Sequence, residues 1–278
     1  MSKIYSDNFG EHELNKLHRV QIEILDEISR ICEANKITYY LVGGTLLGAV
    51  RHEGFIPWDD DLDIAMPRKD YEKFCSCCLS GELDRKYFLH NELTDDKYWL
   101  IFGKVRKNGT EINEKTNEKL ETNKGIYVDI FPFDEVKKKA RSFGKARTAI
   151  IKAISASICW KRGLRPPLTR RLKTILLITK PFSISVLSAI QKRLMIMGND
   201  KGSPFYINYG SNYDTVKQTI PNDKYEPYCL LNFEGKKYRA PKDYDYVLRQ
   251  IYDDYMTLPP VEDRVLRHKP VYIDFGES

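Results

Sequence analysis

Residues 43–64 read GGTLLGAVRHEGFIPWDDDLDI, and the rest of the chain is best read outward from them. An apolar, β-forming run (Tyr39, Tyr40, Leu41, Val42) leads into Gly43-Gly44, which predicts a strand over 37–42 and a turn at the glycines. Thr45 to Arg51 carries a helical pattern, and Gly54 to Trp58 is a loop in which Pro57 biases Ile56 toward extended geometry. Four carboxylates follow within five positions: Asp59, Asp60, Asp61 and Asp63. Their apolar neighbours Trp58, Leu62 and Ile64 argue for burial, and crowded buried carboxylates are costly unless a cation neutralises them.

Asp61-Leu62-Asp63-Ile64 alternates polar and apolar. As a strand it turns Asp61 and Asp63 to one face and Leu62 and Ile64 to the other. A second alternating run, GIYVDIF at 125–131, puts Tyr127, Asp129 and Phe131 on one face. If the two strands are neighbours, Asp61, Asp63 and Asp129 converge. An all-carboxylate oxygen site of this kind suits Mg²⁺ or Mn²⁺, and a divalent pair there would clamp an attacking oxygen and a leaving phosphate. The turn at Gly43-Gly44 lets a ligand approach the backbone, and the helix start behind it offers free N–H groups to a phosphate. The plain alternatives are a tight strand-to-helix turn at the glycines, a solvated acidic loop at Asp61 and Asp63, and a buried ion pair at Asp129.

The remaining elements follow from periodicity. Glu13 to Glu33 is an amphipathic helix, and Arg68 to Leu79 is a helix after Pro67. Lys86 to His90 and Tyr98 to Arg106 are strands, and Pro241 to Tyr255 closes with a helix. The six cysteines show no disulfide framework and are expected as reduced thiols. The polar start MSKIYSDNFGEHELNK has no apolar core of a signal peptide, and no run reaches the roughly 18 apolar residues of a spanning helix.

The net charge of +6 conceals a split. Residues 136–199 hold 16 Lys and Arg and no acid, which leaves 29 basic against 39 acidic residues elsewhere. The expected organisation is a catalytic core over 1–135, a basic and largely helical insert over 136–200, and a C-terminal part over 201–278 that completes the core. The insert helices, 136–162 and 169–197, are separated by Gly163 and Pro166-Pro167 and broken at Pro181. A solvated face, nucleic acid and an anionic membrane surface are the three readings of the insert. No nucleic-acid motif is present. Apolar Ile175, Leu176, Ile178, Leu187, Ile190 and Leu194 interleave with Arg170, Arg171, Lys173, Lys180, Lys192 and Arg193, which favours the membrane. The expected location is cytoplasmic, peripheral on the inner face of the cell membrane.

GGTLLGAVRHEGFIPWDDDLDI resembles the signature of the LicD family, which includes bacterial phosphocholine transferases and is related to fukutin and fukutin-related protein. MPRKDYEKF, a strand carrying Lys104, GIYVDIFPFD and the late YDDYMTLPP resemble further blocks in family order. The resemblance implies an α/β (α+β) nucleotidyltransferase-type fold, a mixed sheet with flanking helices. It also implies transfer of a phospho-alcohol from a CDP-alcohol, CDP-choline foremost, to a sugar hydroxyl of a lipid-linked or surface glycan acceptor, with CMP leaving. Carried over, Asp61, Asp63 and Asp129 bind the metals, and Asp129 also serves as general base. Gly43, Gly44 and Thr45 hold a phosphate, and Arg51, His52 and Lys104 neutralise the diphosphate. Asp59 and Asp60 orient the site or shape its loop, His268 contacts substrate or is a surface histidine, and Trp58, Tyr39, Tyr40, Tyr98 and Trp99 are aromatic candidates for a choline headgroup. Exposed charges would equally account for Arg51 and Lys104, and a packing role for His52. Ribitol or glycerol phosphate transfer, a true nucleotidyltransferase and a non-catalytic relative are the other readings.

Overall fold

A computed structural model describes residues 3–5, 9–114, 120–137, 142–164, 170–199, 202–266, 268 and 270–276. The chain opens with β1 (Ile4–Tyr5) and the long helix α1 (Glu11–Ala34). The apolar stripe of α1 (Leu17, Ile24, Leu25, Ile28 and Ile31) is fully buried. Next come β2 (Tyr40–Leu41), α2 (Gly43–His52), β3 (Asp63–Pro67) and α3 (Arg68–Cys77). The sheet is then built by β4 (Tyr87–His90), β5 (Gly103–Lys107), β6 (Glu111–Asn113) and the ten-residue β7 (Tyr127–Val136). Three helices, α4 (Ser142–Lys161), α5 (Arg170–Thr179) and α6 (Ile184–Met195), make up the basic region. β8 (Phe205–Ile207), β9 (Thr219–Pro221), the hairpin β10 (Cys229–Phe233) and β11 (Lys236–Ala240), α7 (Tyr244–Tyr252) and β12 (Tyr272–Asp274) complete the order.

The central sheet runs β2-β3-β7-β5-β4, with β8 on the far end of β7 and β9 beyond it. It is mixed: β3 and β7 are parallel, and the other neighbours are antiparallel. This is the α/β architecture expected. β1, β12 and β6 form a separate three-stranded sheet that ties both ends of the chain to the middle.

Register divides the central sheet into two unlike faces. One carries Leu41, Ile64, Met66, Val105, Val128 and Ile130 and is covered by helices. Tyr87 donates from this face to the Glu23 carbonyl of α1, and the Tyr71 ring of α3 lies against Gly103. The other face carries a straight row of partners, Asp63, Asp129, Lys104 and His90, one from each of β3, β7, β5 and β4.

Several elements differ in extent from expectation. α2 begins at Gly43 itself, so the glycines form its first turn rather than a preceding one. Strand β3 begins at Asp63, and Asp61 and Leu62 lie in the loop before it, although the Leu62 carbonyl already accepts the Asp129 N–H at 3.0 Å. Residues 98–102 are outside β5, because Tyr98 turns back to donate to the Phe102 carbonyl at 2.7 Å. Val136 ends β7 and is not helical. The Arg170 and Arg171 side chains, part of the interleaved pattern, lie outside the described residues. All six cysteines are free thiols.

Candidate active site

The carboxylate end of the Asp63–Asp129–Lys104 row is set by α2 and the loop behind it. Gly43 has φ +60°, where a side chain would be strained, and a Cβ there would lie 3.2 Å from Asp63 Oδ2. A Cβ on Gly44 would overlap Asp59 Oδ2. The two glycines therefore bring the first turn of α2 directly against two carboxylates. Thr45, buried in that turn, accepts the Asp63 N–H on its Oγ1 at 2.8 Å. The phosphate-binding residue expected at Thr45 thus already has one role, fixing the backbone of Asp63.

Asp63 Oδ1 is inaccessible to solvent and has no hydrogen-bond partner. Burial, and then the neighbouring Asp61, Asp129 and Asp59 charges, push the Asp63 carboxyl well above the usual carboxylate range. Asp129 sits beside it in register, and Lys104 Nζ donates to Asp129 Oδ1 at 2.5 Å. Burial raises the Asp129 carboxyl, and Lys104 opposes that rise. Lys104 is itself lowered by burial and supported by Asp129. Lys104 hydrogen-bonds to Asp129, and Asp63 Oδ1 is left without a partner. The orphaned Asp63 oxygen and the all-carboxylate set fit a hard divalent cation held by Asp61, Asp63 and Asp129.

A second grouping shares Asp61. Asp60, Asp61 and His268 each offer one ligand atom, all within 4.8 Å of one another. His268 Nδ1 stands 2.9 Å from Asp60 Oδ1, its backbone N–H donates to Asp60 Oδ2 at 3.1 Å, and its Nε2 is 3.8 Å from Asp61 Oδ2. The Asp60 hydrogen bond, with Asp61 behind it, lifts the imidazole to about 9. Through its ring and its backbone N–H, His268 ties the C-terminal segment to Asp60 on the acidic loop. Asp59 and Asp60 are buried, and their carbonyls accept from His18 Nε2 at 2.8 Å and Gln21 Nε2 at 3.1 Å, which pins the loop to α1.

Other expected residues lie elsewhere. Arg51 and His52 end α2, about 12 Å from its first turn at 1.5 Å per residue. Arg51 donates to the Tyr255 carbonyl at 2.9 Å and to His52 Nε2 at 3.0 Å. Among the described contacts neither reaches Asp61, Asp63 or Asp129. Trp58 has Arg264 stacked 5.3 Å from its ring and lines a cavity of about 650 Å³ with Phe9, Phe55 and Glu234. Tyr39 and Tyr40 are core residues, the former paired with Ser29 and the latter packed edge-on to Tyr225. Tyr98 is buried against His90.

Lys104 is enclosed by an aromatic ring and a carboxylate. Its Nζ lies 3.4 Å from the centre of the Tyr127 ring, and Tyr127 donates to Glu114 Oε1 at 2.7 Å. Arg106, two residues on and on the same face, donates to His90 Nδ1 at 2.8 Å. The one available signal was the alternation Lys104-Val105-Arg106 in a strand, with two cations on one buried face. The buried bidentate pair of Arg68 and Asp134 (2.9 and 2.8 Å) lies on the opposite side of β7, since 129 and 134 differ by an odd number.

Over 262 residues the chain is 31% identical to the lipopolysaccharide cholinephosphotransferase LicD of Haemophilus influenzae, covering 92% of this chain and 96% of that protein. The chain belongs to the LicD family. The family domain described as LicD/FKTN/FKRP, nucleotidyltransferase domain, matches residues 36–153, which contain α2, β3, β5 and β7. The human ribitol 5-phosphate transferase FKRP is 48% identical over 106 residues, and its mouse counterpart is 26% identical over the same length; each match covers 37% of this chain and 18% of the FKRP protein. The present LicD-family member is thus a LicD-type phosphotransferase, with its paired strands β3 and β7 inside the family domain.

Proposed function

We propose that this protein transfers phosphocholine from CDP-choline to a sugar hydroxyl of a cell-surface glycan precursor, releasing CMP. The observation that carries the reading is the register row Asp63–Asp129–Lys104, with a partnerless buried oxygen on Asp63. The near full-length similarity to a cholinephosphotransferase supports choline as the alcohol. Asp61, Asp63 and Asp129 would hold Mg²⁺ or Mn²⁺. When bound, such an ion draws charge from the diphosphate oxygens and positions them.

The chain's own residues supply the rest. The first turn of α2, at Gly43 and Gly44, presents backbone N–H groups toward a phosphate beside the acids. Lys104 offers a buried cation next to Asp129. The Asp129 carboxylate takes the proton of the acceptor hydroxyl as that oxygen bonds to the distal phosphorus. The bond from that phosphorus to the bridging oxygen breaks, and the bridging oxygen leaves with CMP.

Transfer of ribitol phosphate from its CDP donor is the second reading, favoured by the similarity to FKRP over 106 residues. Incubating the protein with Mg²⁺ or Mn²⁺ and separate CDP-choline, CDP-ribitol and CDP-glycerol, with a glycan acceptor, decides between them by which donor yields CMP. Activity that persists in EDTA would sink the metal assignment. Release of diphosphate from a nucleoside triphosphate, with no CMP from any CDP-alcohol, would replace phospho-alcohol transfer by nucleotidyl transfer.

A further inference from the structure

Among the described contacts none joins the basic helices to Asp61, Asp63 or Asp129, and their surface has an unusual composition. Leu177, at 72% exposure, is the most exposed large hydrophobic side chain among the described residues, and Ile178 beside it is 66% exposed. Phe182, just before α6, and Val186 and Ile190, one turn apart within it, are exposed as well. The buried side of α6 is a different ridge, formed by Leu187, Gln191 and Met195, so the exposed row is not what holds the helix to the protein. α5 and α6 meet at an elbow of 107°. With ten and twelve residues, each is short of the roughly 20 needed to span a bilayer. Among the described residues no single helix is long and apolar enough to cross a membrane.

Cations frame this apolar elbow. A cavity of about 540 Å³ between α4 and α5 is lined by Trp160, Leu176 and Leu177 with Lys161, Lys173 and Lys180. No acid occurs anywhere in residues 136–199 to neutralise them. Exposed apolar side chains on a helical elbow, an indole and lysines at its edge, and no carboxylate within the segment itself are complementary to one kind of partner. That partner has an apolar interior beneath a layer of negative charge.

We infer that the α5–α6 elbow docks on an anionic lipid bilayer, with Leu177, Ile178, Phe182, Val186 and Ile190 entering the boundary between headgroups and acyl chains, and Lys173 and Lys180 on the headgroups. The root of this region is tied to the strand that carries Asp129. Asn199 donates to Asp134 Oδ1 at 2.8 Å, and Asp134 is clamped by Arg68. A docked elbow thus holds the active site at a fixed height above the membrane, whichever alcohol is transferred.

The test is co-sedimentation of the purified protein with vesicles of phosphatidylcholine alone and of phosphatidylcholine mixed with phosphatidylglycerol. The protein is expected to bind the mixed vesicles and to release as salt is raised. Leu177→Ser/Ile178→Ser/Phe182→Ser should weaken binding about tenfold or more, and Lys173→Gln/Lys180→Gln should weaken it roughly fivefold per charge lost. All five side chains are exposed, so both variants should keep the wild-type melting curve, which separates lost docking from lost folding. Equal binding to neutral vesicles, or binding unaffected by the apolar variant, overturns the inference. So does absence of vesicle binding where the same variants abolish self-association or binding to duplex DNA.

Discussion

Asp63 and Asp129 are direct partners across the parallel pair β3–β7, and the Asp63 N–H is held from behind by Thr45. Two acids at one level of a sheet repel each other. Three things keep them there: the fixed backbone of β3, the short link from Asp129 to Lys104, and the packing of the opposite, apolar face of the sheet.

Asp63→Asn removes a buried carboxyl that burial and the neighbouring Asp61, Asp129 and Asp59 push well above the usual carboxylate range. A carboxyl raised above its unfolded value costs stability at neutral pH, so the neutral amide should stabilise the metal-free protein by on the order of 1 kcal/mol, a Tm rise of roughly 2–4 °C. Transfer activity should fall by about a thousandfold or more, as expected for a residue that binds charge in the transition state. Thermal melting in EDTA and CMP release test the two halves separately. A variant that melts lower and still turns over would contradict both.

Lys104→Met leaves Asp129 buried without its cation. The expected loss is roughly 3–5 kcal/mol, because the carboxylate keeps its desolvation cost after the partner is gone. Lys104→Met/Asp129→Asn should recover more than half of that loss. Urea unfolding of the wild type, both single variants and the double variant measures it. Additive losses would show that the 2.5 Å contact carries no coupling.

Thr45→Val keeps the shape of the side chain and removes the acceptor for the Asp63 N–H. An unsatisfied buried donor costs about 1–3 kcal/mol. Thr45→Ser restores the hydroxyl and should restore most of the stability and activity. Equal behaviour of the Val and Ser variants would mean that the hydroxyl does not position β3.

His90 gives the fold an acid limit. Its Nδ1 accepts from Arg106, and its Nε2 faces Asp95 Oδ2 and Thr122 Oγ1, each at 2.9 Å, so the neutral tautomer with the proton on Nε2 fits the site. Burial and then the Arg106 charge bring the imidazole down to about 4. Between about 6.5 and about 4 the unfolded chain binds the proton and the folded one does not, so stability falls as pH falls through that window, by roughly 3 kcal/mol in all. Urea midpoints across that range should show the slope, and His90→Gln should flatten it. An unchanged slope in the variant would assign the acid sensitivity to other groups.

Much of the site was legible because its signals are local. The alternation at Asp61–Ile64 and at Tyr127–Phe131 assigned Asp63 and Asp129 to strand faces, and the apolar neighbours of the acids implied their burial. The roles of Arg51 and His52 were less legible. Sequence proximity put them near the motif, but a ten-residue helix carries its two ends apart. His268 was the reverse case: nothing near it in sequence marks it, yet Asp60, 208 positions away, holds it.

By itself the sequence determined the strand and helix periods, the glycine-to-acid signature and the separation of charge between body and insert. Each depends on neighbours within a turn or a pleat, and side-chain chemistry fixes them there. Only the tertiary structure decided that β3 lies parallel to β7, so that Asp63 meets Asp129 and Lys104 lines up beyond them. It also decided that Thr45 faces the Asp63 N–H and that the C-terminal His268 closes on Asp60. Those pairings join segments far apart in the chain, and they are chosen by the burial of the whole apolar face of the sheet rather than by the polar residues that it brings together.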